Sequence, residues 1–244
     1  MYELYIANKN YSSWSLRPWV LMRMHELPFT EHLIRFDDAQ AWNEYRKLAP
    51  NGKVPCLIDG TTTVWDSLAI AEYLAERHDG IWPADKAARS WARSAAAEMH
   101  SGFSELRNRC SMTCGQRIRL KEFPPQLGRE IERLNILWNA GLSRFGGPFL
   151  AGRGFTAVDA FFAPVAFRVA SYGLTLDPAA AQYVSRLLAL EPMTEWRAAA
   201  LEETFRDEPH EVDILKMGDV IEDLRAKPTP VRSQSRPQFG PPRS

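Results

Sequence analysis

Three stretches in the first third of the chain gather residue types that bind charged small molecules. In Tyr11-Ser12-Ser13-Trp14-Ser15-Leu16-Arg17-Pro18-Trp19, three hydroxyls stand where a strand hands over to a helix. The free N–H groups and dipole of a helix N-terminus favour an anion there, although any one of these serines serves equally well as a plain N-cap. Pro50-Asn51-Gly52-Lys53-Val54-Pro55 leads into a strand. A cis Val54-Pro55 bond would turn the Val54 N–H and C=O outward, able to pair with another extended backbone. Only about 5–6% of X-Pro bonds are cis, so local physics favours an ordinary trans strand start. Asp66-Ser67 opens the amphipathic run Leu68-Ala69-Ile70-Ala71-Glu72-Tyr73-Leu74. An acid and a hydroxyl at that place either cap the helix or hold the ammonium and carboxylate of an amino-acid-like ligand, and taken alone they read as the cap.

Short alternating elements must position those groups. Leu4-Tyr5-Ile6 is a β-prone run that ends in the polar Asn8-Lys9-Asn10. The spacing of Leu16, Trp19, Val20 and Met24 predicts a helix with Pro18 in its first turn. Further along, a strand is predicted over 32–36, a short helix over 42–48, two antiparallel strands around an Asp59-Gly60 turn, and a helix over 67–77. The order β-α-β-α-β-β-α puts parallel strands first and a hairpin last, hence a mixed sheet. After Gly80-Ile81-Trp82-Pro83 the helix formers Ala, Glu, Arg and Leu dominate and β-prone runs largely disappear. The expected organisation is an α/β domain over 1–80 and an all-helical domain over 86–225, with helices at 86–109, 125–144, 157–172, 179–189 and 193–204. A proline-rich tail over 226–244, poor in apolar residues, reads as disordered.

Composition narrows the class. Hydrophobic residues make up 45% of the 244 and charged residues 25%, enough apolar content to bury cores of ordinary size. The 30 basic and 30 acidic residues cancel, so no basic field points to nucleic acid as a partner. Met1 runs directly into Tyr2-Glu3-Leu4-Tyr5-Ile6-Ala7, without a charged n-region or a long apolar segment, and no stretch approaches the roughly 20 apolar residues of a membrane helix. The expected compartment is the cytoplasm, away from membranes. Cys56, Cys110 and Cys114 are too few and scattered for a disulfide framework or a four-ligand zinc site, so reduced thiols and no metal are expected.

In combination the three stretches are far more specific than singly. The serine loop, Asn51-Gly52-Lys53-Val54-Pro55 and Asp66-Ser67-Leu68-Ala69-Ile70 resemble, in order and spacing, the glutathione site of the cytosolic glutathione S-transferases. The serine run followed by Arg17 is most similar to the zeta class. The resemblance covers residues 2 to about 78 well and the remainder in outline. It implies a thioredoxin-like α/β domain holding glutathione as co-substrate, packed on an all-α domain that supplies the pocket for a small electrophile, in a homodimer. By matching position, Ser12 would hydrogen-bond the glutathione thiolate, with Ser13 and Ser15 as close alternatives. Val54 would pair its backbone with the cysteinyl part ahead of a cis Pro55, Asp66 and Ser67 would hold the γ-glutamyl end, and Lys53 would reach the glycyl carboxylate.

Trp14 stands where the zeta pattern usually has cysteine, and no cysteine lies between Tyr11 and Trp19 for the disulfide chemistry of omega or glutaredoxin-like relatives. The expected activity is therefore a serine-type glutathione transferase. The alternatives are a glutathione-dependent isomerase of the maleylacetoacetate type, with Arg17, Arg107 and Arg109 as carboxylate binders, and a non-catalytic interaction protein of the same fold. Thr156 and Asp159 have capping-box spacing and read as structural, as do Trp91, Trp138 and Trp196. Cys110 and Cys114, four apart, are expected on one face of a helix, and Cys56 as a buried strand residue.

Overall fold

The computed structural model describes residues 1–227, so the expected tail lies, but for its first two residues, outside the described residues. The first domain is built from β1 (Tyr2–Ala7), α1 (Ser13–Met24), β2 (Phe29–Ile34), α2 (Ala39–Tyr45), β3 (Cys56–Asp59), β4 (Thr62–Trp65) and α3 (Ser67–Ala75). Its sheet has the order β2-β1-β3-β4, with β1 and β2 parallel and β3 antiparallel to both its neighbours. This is the mixed sheet expected from the element order. The two-residue period of β1 sorts its side chains. Leu4 and Ile6 are fully buried in a core that includes Leu16, Val20, Ile70 and Leu74 of α1 and α3, whereas Tyr5 packs on a smaller cluster of Tyr45, Ala49 and Cys56 beside α2.

The second domain comprises α4 (Lys86–Ser101), α5 (Ser104–Arg109), β5 (Gln116–Leu120), α6 (Pro125–Phe145), α7 (Ala157–Tyr172), α8 (Pro178–Leu188), α9 (Glu191–Glu202), α10 (Glu208–Met217) and β6 (Gly218–Asp223). Helix α7 is buried along almost its whole circumference and touches α1, α4 and α8, as a helix apolar on all sides must be. Its N-terminus carries the expected capping box, with the Thr156 N–H donating to Asp159 at 2.9 Å.

Four local expectations are corrected. Helix α1 starts at Ser13, so Pro18 sits inside it and not in its first turn. The single helix expected over 86–109 is broken at Gly102 and at Phe103, whose φ of 55° is left-handed. Gly102 admits this because a Cβ there would lie 2.8 Å from the Glu98 carbonyl oxygen. The helical domain also contains an antiparallel ribbon of β5 and β6, in which Gly218 passes so close to β5 that a Cβ would meet Ile118 Cγ2 at 2.3 Å. Finally, α5 ends at Arg109, which leaves Cys110 and Cys114 in the irregular segment before β5. Both are buried, and burial pushes the Cys110 thiol up to about 12, so they pack and do not react.

Candidate active site

The loop between β1 and α1 is held from below by the helical domain. Glu203, just past α9, accepts hydrogen bonds from the backbone N–H groups of Lys9 (2.6 Å) and Asn10 (3.2 Å) and from Asn10 Nδ2 (3.1 Å). The Lys9 carbonyl in turn accepts from Trp196 Nε1 at 2.9 Å. The serines are thereby presented at the domain junction. Ser12 precedes α1 without capping it; its hydroxyl shares a 2.7 Å hydrogen bond with Ser15 Oγ, which also accepts from the Ala7 N–H at 3.2 Å. Ser12 and Ser13 line the cleft. Ser15 is fully buried and stands behind Ser12, so it does not face the cleft.

The opposite wall comes from the segment before β3 and the start of α3. The Val54-Pro55 bond is cis, against the expectation from local physics and in line with the resemblance. The Val54 N–H and C=O have no hydrogen-bond partner among the described residues. Asp66 has φ of 75°, a conformation that non-glycine residues adopt only when their surroundings hold them there, and its carboxylate accepts from the Leu68 N–H at 2.7 Å. Its other oxygen lies 3.5 Å from His100 Nε2 of α4. Ser67 is buried and accepts from Arg17 Nη1 at 3.4 Å. Lys53, Val54, Pro55, Asp66 and Ser67 all line one cavity of about 280 Å³, so five of the eight residues singled out from sequence meet there.

Trp14, Lys53 and Val54 are shared with an adjoining cavity of about 370 Å³, lined on one side by Ser12 and Ser13 and on the other by the helical domain. Here lie Arg107, Arg168 and His210, of which the sequence reading included only Arg107. Arg17 and Arg107 both lie over the Trp14 ring, at 4.2 and 4.4 Å from its centre. Burial, with Arg107 and Arg168 nearby, pushes Arg17 down to about 9, and burial pushes Arg168 down to about 10; both remain cations at neutral pH. Arg109 pairs instead with Glu105 at 2.8 Å and is not among the cavity residues. His210 stacks on Tyr11 and on Phe36, and Phe36 on Trp42, giving the cavity an aromatic rim. Arg168 was detectable as the one charged residue besides Asp159 in the apolar run of α7. Nothing near His210 in sequence marks it, because α10 reaches the site only through tertiary packing.

Among protein-family models, residues 11–77 match the glutathione S-transferase N-terminal domain. The dichloromethane dehalogenase of Methylorubrum extorquens is 44% identical over 57 residues, which is 22% of this chain and only 20% of that protein. The glutathione S-transferase-like protein OpS6 of Beauveria bassiana is 29% identical over 189 residues, 72% of this chain and 83% of that one. The solved glutathione transferase homologue from Burkholderia, with bound glutathione, superposes with a TM-score of 0.61 at 21% identity, covering 82% of this chain and 97% of its own. Among the described residues, no helix is long and apolar enough to cross a membrane.

Proposed function

We propose that the chain is a member of the glutathione S-transferase family, whose N-terminal domain its residues 11–77 match, and that it is a serine-type glutathione transferase working as a cytoplasmic homodimer. What carries this reading is a pair of adjoining cavities that share Trp14, Lys53 and Val54 and are differently equipped. In the smaller, Asp66 and Ser67 at the start of α3 suit the γ-glutamyl ammonium and carboxylate, the unpartnered Val54 backbone suits an extended cysteinyl unit, and Lys53 suits a terminal carboxylate. In the larger, Ser12 stands at the N-terminus of α1, where a thiolate would be stabilised.

The Ser12–Ser15 pair defines the proton arrangement. The Ser12 hydroxyl donates to Ser15 Oγ, which also accepts from the Ala7 N–H; when a thiolate binds, the Ser12 O–H would turn to donate to sulfur and the Ser15 hydroxyl would turn to donate to Ser12, each bond polarising the next. A thiol of pKa about 8.5 is only about 3% ionised at pH 7, and lowering it to roughly 6.5 takes about 2.7 kcal/mol of differential stabilisation. Because nucleophilicity falls with basicity, the net gain from ionisation is only about a few-fold. The larger share comes from holding the electrophile beside the sulfur in the adjoining cavity. The thiolate attacks the electrophilic carbon, the C–S bond forms, and the displaced electron pair leaves with the leaving group or takes up a proton.

Calorimetric titration of glutathione into the wild-type protein and Asp66→Ala tests the reading. Binding by the wild type is expected to weaken by about 10-fold or more in the variant, the scale of a lost charge-assisted contact. Absence of wild-type binding would sink the transferase reading and favour an interaction protein of the same fold.

A further inference from the structure

The larger cavity is electrically one-sided. It is lined by the cations Lys53, Arg107 and Arg168, with His210 at its edge held by Asp207 outside the lining, and none of the residues lining it is Asp or Glu. Lys53 sits between the two cavities and is accounted for by the glycyl end of glutathione, but Arg107 and Arg168 belong to the helical domain and face the second-substrate side. Neither has an acidic partner within salt-bridge distance among the described residues. Arg168 donates through Nη1 to the carbonyls of Arg107 and Cys110, while its Nε is buried without a partner; Arg107 donates one bond, to the His100 carbonyl at 3.1 Å. Buried guanidinium groups are ordinarily paired, because desolvating an unpaired charge is costly. Here Arg17, also unpaired by any acid and with its own Nε unsatisfied, adds a third positive charge behind Trp14.

We propose, resting on the transferase reading above, that the second substrate is an anionic electrophile whose carboxylate is bound by Arg107 and Arg168. The apolar part of such a substrate would lie against Trp14, Met112 and the aromatic rim, and its carboxylate would supply the negative charge that the cavity wall lacks. A guanidinium is suited to this because its planar fork matches a carboxylate in two parallel hydrogen bonds. The site thereby selects by charge against neutral electrophiles of equal size.

The test uses two stable product-like ligands, S-(4-carboxybenzyl)glutathione and S-benzylglutathione, titrated calorimetrically alongside glutathione into the full-length wild type, R107Q and R168Q. The wild type is expected to bind the carboxylate conjugate about 10-fold or more tightly than the benzyl conjugate, an advantage that shrinks to about 2-fold in either variant. Since Arg168 also ties down two backbone carbonyls, R107Q carries the test if R168Q does not fold. Equal wild-type affinities for the two conjugates would overturn the charge assignment while leaving the glutathione site standing. A preference that survives both substitutions overturns the role of these arginines, and so does binding of glutathione with neither conjugate. Failure of glutathione itself to bind removes the underlying transferase reading and this inference with it.

Discussion

Ser12 and Ser15 divide between them what the serine cluster offers as a whole. Ser12 borders the cleft, and Ser15 lies beneath it with an N–H donor already in place. Ser12→Ala is expected to leave glutathione bound but to lose most of its thiolate absorbance at pH 7, with kcat/KM falling only about a few-fold, since the thiolate that remains is the more basic and more nucleophilic one. Ser15→Ala removes one supporting hydrogen bond and should cost less than Ser12→Ala, about 2-fold. Equal thiolate absorbance in wild type and Ser12→Ala would rule Ser12 out as the thiolate's donor and turn attention to Ser13, which also lines the cleft. That the cluster sits at an anion-favouring turn was legible from residue types. Which hydroxyl faces the cleft was not, because it depends on how the loop is pulled down by Glu203, a residue 188 or more positions away.

Among the elements, α7 organises the helical domain, and its start depends on Asp159. That carboxyl is fully buried; desolvation pushes it up to about 6, against hydrogen bonds from the Leu150 and Thr156 N–H groups, the Thr156 hydroxyl and the Tyr183 hydroxyl. The folded state therefore holds this proton more tightly than the unfolded chain, whose Asp titrates near 3.9. Its protonation favours folding fully below about pH 4, and that contribution is lost as pH rises through about 6, roughly 2–3 kcal/mol in all. Urea unfolding of wild type and Asp159→Asn at pH 4 and pH 7 checks this: the wild type should lose ground relative to the variant by about that amount at the higher pH. A difference independent of pH would mean that the buried carboxyl titrates normally. The capping spacing of Thr156 and Asp159 was visible in sequence because capping is local. The break at Gly102-Phe103 and the β5–β6 ribbon were not: the first depends on burying Phe103, and the second pairs segments about 100 residues apart.

For the whole molecule, the two domains meet along α1 and α7 and are joined by polar contacts at the active-site loop, so the cleft exists only in the assembled chain. A tie between α10 and the end of β6 completes the rim: Arg225, nearly buried, pairs with Glu211 and Asp223 and donates to the Tyr11 hydroxyl at 3.1 Å. The proposed homodimer belongs to this scale as well. Sedimentation equilibrium at micromolar concentration should give twice the chain mass, and a monomer would remove the dimer from the reading. The amino-acid sequence by itself determined the α/β-then-helical order, the mixed sheet and the capped start of α7, because strand alternation, turn chemistry and helix caps act over a few residues; the five residues that meet in the smaller cavity stood out only through their family resemblance, since local physics read them as a trans strand start and a plain cap. Only the tertiary structure decided that Ser15 backs Ser12, that Arg107 and not Arg109 borders the larger cavity, and that Arg168 and His210 join it. Those outcomes depend on which helix faces are buried against one another, and no local pattern of residues encodes that.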